Sequence, residues 1–268
     1  MNILIIGCGS IGTVITKAAD KMQSIEKILL YDIDSTRADQ LLSISRKAEM
    51  LSSLDLEKID VSIGIEAAGQ KAAKEYVPTI LENRIDAMVM SVGAFVDRDF
   101  QQRCYKAVEA KGRLVLIPSG AVAGVDALRS ASKAKIDVVK LTSTKPPKGL
   151  SGVKYLQEKG IKVEELKERT ILYSGPAGQA VQLFPANVNV AATVSLAGIG
   201  FDSTQVDVVC DPATKVNSHH LYAKGEFGEL EATTRNLPSP DNPKTSYLAS
   251  LSAVSTLISY VSKIWTGV

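Results

Sequence analysis

The stretch that decides the fold is Asn2-Ile-Leu-Ile-Ile-Gly-Cys-Gly-Ser-Ile-Gly12. Its apolar, β-branched first half is typical of a strand buried on both faces, and a helix is predicted to follow from about Ile11 to Met22. The glycines match G-x-G-x-x-G at a strand–helix junction, where a tight turn, a close approach to pyrophosphate and close helix–strand packing each need a residue without a side chain. The stretch therefore predicts a dinucleotide-binding loop with contacts at Gly7, Gly9, Ser10, Ile11 and Gly12.

Apolar runs alternate with helical segments through the first part of the chain. The further predicted strands are Ile28–Tyr31, Val61–Glu66, Ala87–Met90 and Leu114–Ile117, and the predicted helices include Lys71–Glu82 and Asp99–Lys111. This alternation favours right-handed crossovers and a parallel sheet with helices on both faces. Residues 1–118 are therefore predicted to form an α/β Rossmann domain, a doubly wound parallel sheet that holds a dinucleotide.

The pattern changes after Pro118, where elements become shorter and richer in turns. Predicted strands are Lys140–Thr144, Thr170–Ser174, Gln205–Cys210 and His219–Ala223, and Asn187–Gly198 is predicted to be a buried helix. Residues 119–240 are thus predicted to form a second, α+β domain with a mixed or antiparallel sheet.

The last segment, residues 241–268, is predicted to be a helix that packs back on the N-terminal domain. Three prolines within 237–243 predict an irregular linker before it, because proline removes backbone donors and fixes φ. Thr245 is a candidate N-cap. The expected buried stripe recurs at spacings of four and three and comprises Tyr247, Leu251, Val254, Ile258, Val261 and Trp265.

An acidic residue follows the second predicted strand. Asp32 lies 20 residues beyond Gly12, where its carboxylate can accept hydrogen bonds from ribose hydroxyls. An acid here repels a ribose phosphate, which favours NAD over NADP, although Arg37 is close enough to leave some NADP use open. The alternative is that Asp32 only opens a turn and Asp34 caps the next helix.

Two later strand ends place small residues where a cofactor needs room. Ala68 and Ser91 are therefore predicted cofactor contacts, since ligands of an open parallel sheet lie beyond the carboxyl ends of its strands. Turn residues chosen for their conformation would give the same pattern.

Composition excludes several classes of protein. The formal charge is only +2, from 31 basic and 29 acidic side chains, which argues against a nucleic-acid or anionic-membrane binder. Three widely spaced cysteines predict neither a disulfide framework nor a zinc site, and no metal is expected. No apolar run reaches the roughly 18 residues of a spanning helix, so a cytoplasmic protein that meets small molecules is expected.

Several polar side chains are candidates for catalysis or ligand binding. His219 and His220 are the only histidines, and on a strand only one of them can face a given site as general base or acid. Lys145 precedes two prolines, which restrict the backbone there. It is either a rigidly held cation that pairs with a carboxylate or a solvated lysine in a loop. Asn189 lies in an apolar stretch and is a candidate ligand contact, whereas Asn187 is a candidate helix cap.

Taken together, the motifs resemble the archaeal and bacterial L-aspartate dehydrogenase family nearly from end to end. The matching stretches are IIGCGSIG from Ile5, SVGAF from Ser91, PSGAVAGVDAL from Pro118, TSTKPPKGL from Thr142, LFPANVNVAATVSLAG from Leu183, NSH from Asn217 and NLPSPDNPKTSYLA from Asn236. Motifs of this length are far more specific than the glycine pattern alone.

The resemblance implies an NAD(P)-dependent, reversible oxidative deamination of L-aspartate to iminoaspartate, and then to oxaloacetate and ammonia. It implies that His219 is the catalytic histidine and that Ala123 and Asn189 contact the cofactor. A dianionic substrate needs donors, and the candidates are Lys145 and the backbone amides of the Ser119–Gly124 loop, with Asn189 and His219 as the other expected substrate contacts. It further implies that the second domain is catalytic and forms a homodimer, and that iminoaspartate feeds NAD biosynthesis through quinolinate synthase.

Two other functions remain open from the sequence. One is another two-domain dehydrogenase or reductase, similar to homoserine dehydrogenase or dihydrodipicolinate reductase, because fold-level analogy does not separate these enzymes. The other is a non-catalytic NAD-sensing module.

Overall fold

The computed structural model describes residues 1–185, 189–239 and 242–267. The chain divides into two compact units. The first contains Met1–Pro118 and Ser250–Ile264, and the second contains Ser119–Ala249 and the residues from Trp265 onward. Among the described residues, no helix combines the length and apolarity needed to cross a membrane.

The first unit is built on a six-stranded sheet. Its strands are β1 Asn2–Ile6, β2 Lys27–Tyr31, β3 Ala48–Met50, β4 Ile63–Glu66, β5 Asp86–Val89 and β6 Val115–Leu116. They lie in the order β3-β2-β1-β4-β5-β6, and all neighbouring pairs are parallel. The side chains of the inner strands are buried on both faces, as the continuous apolar runs predict. The doubly wound parallel sheet is confirmed.

Helices connect these strands. They are α1 Ser10–Asp20, α2 Ser35–Leu42, α3 Gln70–Glu82 and α4 Arg98–Lys111, with a 3₁₀ turn at Val92–Val96. Local chemistry sets the ends of α4, because the Asp97 carboxylate accepts hydrogen bonds from the amides of Asp99 and Phe100. Gly112, in the left-handed region at φ +60°, ends the helix.

The second unit contains a five-stranded mixed sheet. Its strands and helices are α5 Val125–Ala131, β7 Ile136–Lys145, α6 Pro147–Leu150, α7 Lys154–Glu158, β8 Thr170–Pro176, α8 Ala177–Leu183, α9 Asn189–Ala197, β9 Gln205–Cys210, β10 Asn217–Gly225 and β11 Gly228–Asn236. The strand order is β11-β10-β7-β9-β8. Only β7 and β9 pair in parallel, so the predicted mixed sheet is confirmed.

The proline-rich segment differs from the prediction of an irregular linker. Strands β12 (Pro238–Ser239) and β13 (Asn242–Ser246) form a short antiparallel ladder within it. A ladder is possible because a two-stranded ribbon has free edges, where a missing proline donor goes unused. Thr245 lies in β13 and does not cap the last helix, α10, which begins at Tyr247 and ends at Ser262.

Helix α10 packs on the first sheet, but of the predicted stripe only Val254 and Val261 pack against the core. Ser250, Ala253 and Leu257 are its buried residues. Four members of the predicted stripe are well exposed: Tyr247 (37%), Leu251 (40%), Ile258 (50%) and Trp265 (45%). The helix is apolar around most of its circumference, so spacing alone did not select a face, whereas small residues allow closer approach to the sheet.

Candidate active site

The glycine loop connects β1 to α1 and has the shape of a phosphate site. Gly7 has φ +100°, in the left-handed region that only glycine adopts readily. A β-carbon on Gly12 would lie 2.1 Å from the Gly7 carbonyl oxygen, so the helix packs directly on the turn. At Gly9 an added β-carbon would meet nothing within 4 Å. The loop therefore leaves open space where the predicted pyrophosphate needs it.

The N-terminus of α1 also fits an anion. Gly9 is its N-cap, no capping side chain is bonded there, and the first turn has no acidic residue. Backbone amides and the positive end of a helix dipole favour a phosphate at such a terminus. The loop and helix thus fit the NAD(P) that the sequence implies.

Asp32 lies beside this loop at the end of β2. Its Oδ2 accepts a 2.7 Å hydrogen bond from the Cys8 amide, and its Oδ1 accepts one of 2.9 Å from the Asp34 amide. Each carboxylate oxygen retains a lone pair that a ribose hydroxyl can use. Asp34 does cap α2, as the alternative interpretation required, by accepting a hydrogen bond from the Thr36 amide. The two roles are compatible because different carboxylates perform them.

Ala68 and Ser91 follow β4 and β5 at the same edge of the sheet. The side chain that links them is one that sequence reasoning missed, Glu66. It is fully buried and accepts hydrogen bonds from the backbone of both residues. The available signal was an acidic residue that ends the apolar run Ile63-Gly-Ile-Glu66.

His219 is the centre of a buried polar group in the second unit. It lies on β10, directly opposite Ser143 on β7, and its Nδ1 is 3.0 Å from the Ser143 hydroxyl oxygen. The residue is 2% exposed. Burial and the nearby positive charge of Lys145 lower the pKa of His219 to about 3. Its imidazole is therefore neutral at physiological pH.

His220 points to the opposite face, as alternation along a strand requires. Its Nε2 lies 2.8 Å from Oε1 of Glu231 on the neighbouring strand, and both side chains are well exposed. His220 is therefore separated from the polar group around His219.

Lys145 ends β7, two residues beyond Ser143 and on the same face. It is 5% exposed, so the alternative of a solvated loop lysine is wrong. Burial lowers the pKa of its ammonium group to about 8. A β-carbon on Gly149 would lie 3.5 Å from Cβ of Lys145 and 3.6 Å from Oδ1 of Asn217, so these residues surround one small space.

Asn217 completes the group. It lies on β10 two residues before His219 and therefore shares its face. The side chain is buried, and its Nδ2 donates a 3.2 Å hydrogen bond to the Ser246 hydroxyl. Ser143, Lys145, Asn217 and His219 thus form one cluster on the buried face of the sheet.

Ala123 and Asn189 occupy other parts of the second unit. Ala123 is exposed in the loop before α5, and two hydrogen bonds hold this loop. The Thr234 hydroxyl and the Asn236 side-chain amide donate to the Ala121 carbonyl at 2.7 and 2.9 Å, respectively. Asn189 is the half-buried first residue of α9, while Asn187 lies outside the described residues.

Within the described ranges, no group of three or more His, Cys, Asp or Glu side chains is arranged to hold a metal ion. The polar cluster combines a neutral imidazole, an ammonium group of moderate pKa and hydrogen-bonding side chains. Such a set can bind a carboxylate and move a proton without a metal.

Comparison with known proteins places this chain among enzymes. A family model described as the C-terminal domain of aspartate dehydrogenase matches residues 126–260, and one described as the NAD-binding domain of homoserine dehydrogenase matches residues 7–118. L-aspartate dehydrogenases of Methanosarcina barkeri and Methanosarcina acetivorans are 45% and 44% identical, and each alignment covers 100% of this chain and 99% of the relative. The crystal structure of aspartate dehydrogenase from Thermotoga maritima is 31% identical over 99% of both chains, with a TM-score of 0.77. This chain belongs to the aspartate dehydrogenase family.

Proposed function

We propose that this protein is an NAD(P)-dependent L-aspartate dehydrogenase that oxidatively and reversibly deaminates L-aspartate. The observation that carries the proposal is the pairing of a buried neutral His219 with a buried Lys145 on one face of the second sheet. The pair provides a proton acceptor beside a cation, which suits a dicarboxylate substrate. Homology along the whole chain supports the same reaction.

The first unit would hold the cofactor. The proposed pyrophosphate loop consists of Gly7, Gly9, Ser10, Ile11 and Gly12. Asp32 accepts hydrogen bonds from the ribose hydroxyls, and its acidic side chain favours NAD over NADP because it repels a ribose phosphate. Ala68 and Ser91 line the same edge. NAD(P) held there would supply the acceptor for the hydride that leaves Cα of L-aspartate. From the second unit, Ala123 and Asn189 are proposed as further cofactor contacts.

His219 would act as general base in the hydrolytic step. If Nδ1–H donates to the Ser143 hydroxyl, the lone pair of Nε2 is free to accept a proton. Water then adds to the imine carbon of iminoaspartate while one of its protons passes to Nε2, and His219 returns this proton to the nitrogen. The remaining hydroxyl proton reaches the nitrogen by the same route, so the C–N bond breaks, ammonia leaves and the carbonyl of oxaloacetate forms. General acid–base help of this kind contributes typically about 10²–10⁴-fold.

Lys145 would bind a substrate carboxylate. At neutral pH the Lys145 side chain is an ammonium group in most molecules, because its pKa is about 8. An ammonium that is partly dehydrated before substrate arrives interacts strongly with a carboxylate, since little water remains to screen the charges. Asn189 is proposed as a second substrate contact.

The division of labour follows from these roles. Residues 1–118 are proposed to bind the dinucleotide, and residues 119–240 to carry the catalytic residues and a homodimer interface. Residues 241–268 are proposed to provide the C-terminal helix that packs on the N-terminal domain. The product iminoaspartate is a substrate for quinolinate synthase, so a role in NAD biosynthesis is proposed. The three cysteines are all free and buried, which fits a cytoplasmic enzyme.

Separate observations bear on the alternative functions, which are another dehydrogenase or reductase and a non-catalytic NAD-sensing module. An enzyme similar to homoserine dehydrogenase would share the N-terminal match, but the match over 126–260 favours aspartate dehydrogenase. A similarity to dihydrodipicolinate reductase at the level of fold carries no substrate assignment. An NAD-sensing module would have no use for a buried histidine and lysine, which are costly to bury.

The test follows NADH absorbance with oxaloacetate and ammonia together. We expect oxidation that requires both compounds, and no comparable rate with 2-oxoglutarate and ammonia or with aspartate semialdehyde. NADH binding without oxidation would favour the sensing module. Faster oxidation with aspartate semialdehyde would favour a homoserine dehydrogenase.

A further inference from the structure

Glu66 is a buried carboxylate that the roles proposed above do not use. It ends β4, an inner strand of the first sheet, and it is 0% exposed. Its partners on the neighbouring strands are Ile6 and Val89, so it lies at the carboxyl edge of the sheet where the glycine loop begins. A carboxylate in such a place is costly unless donors surround it.

Four donors surround this side chain. Its Oε1 accepts hydrogen bonds from the Ala68 amide at 2.9 Å, the Gly69 amide at 2.8 Å and the Ser91 hydroxyl at 2.8 Å. Its Oε2 accepts one from the Ser91 amide at 3.0 Å. The pKa of Glu66 is raised, because the effect of burial outweighs that of these hydrogen bonds, which lower it. One side chain thereby joins the loops that follow β4 and β5.

The loop after β4 lies directly against the glycine loop. A β-carbon on Gly7 would be 2.6 Å from the Ala68 nitrogen and 2.7 Å from the Ala67 carbonyl carbon. The two backbones therefore touch with no side chain between them. Because close-packed groups transmit displacement, a shift of Ala68 would move the turn at Gly7, on which Gly12 and α1 pack.

Glu66 also affects a helix terminus. Gly69 is the N-cap of α3 and has no side chain of its own to cap the helix, and the first turn has no acidic residue. The Glu66 side chain accepts a hydrogen bond from the Gly69 amide and so places an acceptor oxygen at the positive end of α3. The chain itself thus supplies the acceptor at this helix end, whereas the corresponding end of α1 is where the cofactor phosphates are proposed to bind.

We propose that Glu66 is a positioning residue for the dinucleotide, which holds the backbone at Ala68, Gly69 and Ser91 in the shape on which the glycine loop packs. It acts through the backbone and touches no reacting atom. Cofactor affinity should then depend on Glu66 more strongly than stability alone would explain.

The test is the dissociation constant of NADH for the full-length Glu66→Gln protein, measured by calorimetry. An amide nitrogen cannot accept a hydrogen bond, so in either orientation it faces at least one donor that the carboxylate had satisfied. We expect Kd for NADH to rise about tenfold, equivalent to about 1.4 kcal/mol.

Asp86 provides a matched control at the opposite edge of the same sheet. This mostly buried carboxylate begins β5 and accepts hydrogen bonds from the Leu114 amide at 2.9 Å and the Tyr260 hydroxyl at 2.8 Å. Asp86→Asn should lower the melting temperature and leave Kd for NADH within twofold of the unmodified protein. If folded Glu66→Gln loses stability in the same way and keeps its NADH affinity, Glu66 is only structural and the proposal is wrong.

A second variant decides the question if Glu66→Gln does not fold. Gly69 has φ +154°, and an added β-carbon would meet nothing within 4 Å. Gly69→Ala therefore strains the same turn without a clash, and we expect Kd for NADH to rise at least threefold. An unchanged Kd would overturn the proposal. Neither measurement uses a substrate, so failure here leaves the assignment of L-aspartate untouched.

Discussion

The Ser143 hydroxyl oxygen lies 3.0 Å from Nδ1 of His219, across the antiparallel pairing of β7 and β10. Both residues are buried, and 76 positions separate them in the sequence. The contact fixes the plane of the imidazole and assigns Nε2 to the substrate side in the proposed mechanism. A histidine used as a base needs such an orienting partner.

Ser143→Ala tests this contact. The imidazole loses its partner at Nδ1, so the tautomer and ring orientation needed for catalysis become less populated, and we expect kcat to fall at least tenfold. The Kd for NADH should not change, because Ser143 is buried against His219 and is not among the proposed cofactor contacts. Ser143→Thr is the control: it restores a hydroxyl and should recover most of the lost rate. Normal turnover by the alanine variant would remove Ser143 from the mechanism.

Lys145→Met separates function from stability. Below pH 8 the buried Lys145 side chain is charged in the folded protein. This charge destabilises the folded state, because burial lowers the pKa of the group from 10.5 to about 8. Methionine has a similar length and no charge, so we expect the free energy of unfolding at pH 7 to rise by about 1–3 kcal/mol. We also expect KM for oxaloacetate to rise by at least tenfold. A destabilised variant with normal KM would contradict both expectations.

The same lysine predicts a pH dependence in the unmodified protein. Because the folded-state pKa is lower than the unfolded value, the unfolded chain binds more protons between pH 8 and 10.5, and stability should increase over that window. Loss of the charge above pH 8 should weaken inhibition by a dicarboxylate such as succinate by about tenfold per pH unit. Lys145→Arg keeps its charge and should abolish that dependence. A Ki that stays flat to pH 10 in the unmodified protein would exclude Lys145 as the carboxylate ligand.

Tyr260 anchors the C-terminal helix to the first sheet. Its hydroxyl donates a 2.8 Å hydrogen bond to the Asp86 carboxylate and lies 3.3 Å from the Ser62 carbonyl oxygen. Tyr260→Phe leaves the ring packed and removes these bonds, so we expect a loss of about 1–2 kcal/mol in the free energy of unfolding, measured by urea denaturation. Activity of the folded variant should be unchanged. Ile258→Ala, at a half-exposed position on the same helix, serves as a control with a smaller effect.

The sequence was most informative where the signal is local. A strand, a glycine turn and the start of a helix occupy adjacent residues between Asn2 and Gly12. A single motif therefore predicts that the first domain is a dinucleotide-binding Rossmann domain. The contact between Ser143 and His219 depends on the pairing register of two distant strands, which no local pattern specifies. Strand β11 was missed because its exposed, polar residues lack an apolar run.

Helix α10 shows a different limit. Its apolar residues cover most of the helix surface, so periodicity did not indicate which side meets the sheet. Small residues at Ser250 and Ala253 mark the actual contact, and four of the six predicted residues lie outside it. Glu66 was overlooked for a related reason, because four backbone and hydroxyl donors appear around it only after two loops fold together.

The most direct test of the central claim is the turnover of His219→Ala with oxaloacetate, ammonia and NADH, compared with the unmodified protein. The account predicts NADH binding within twofold of normal and a rate at least 10²-fold lower, since the base is removed and the cofactor loop is not. Near-normal turnover by a variant that binds NADH would contradict the assignment of His219 and the mechanism built on it.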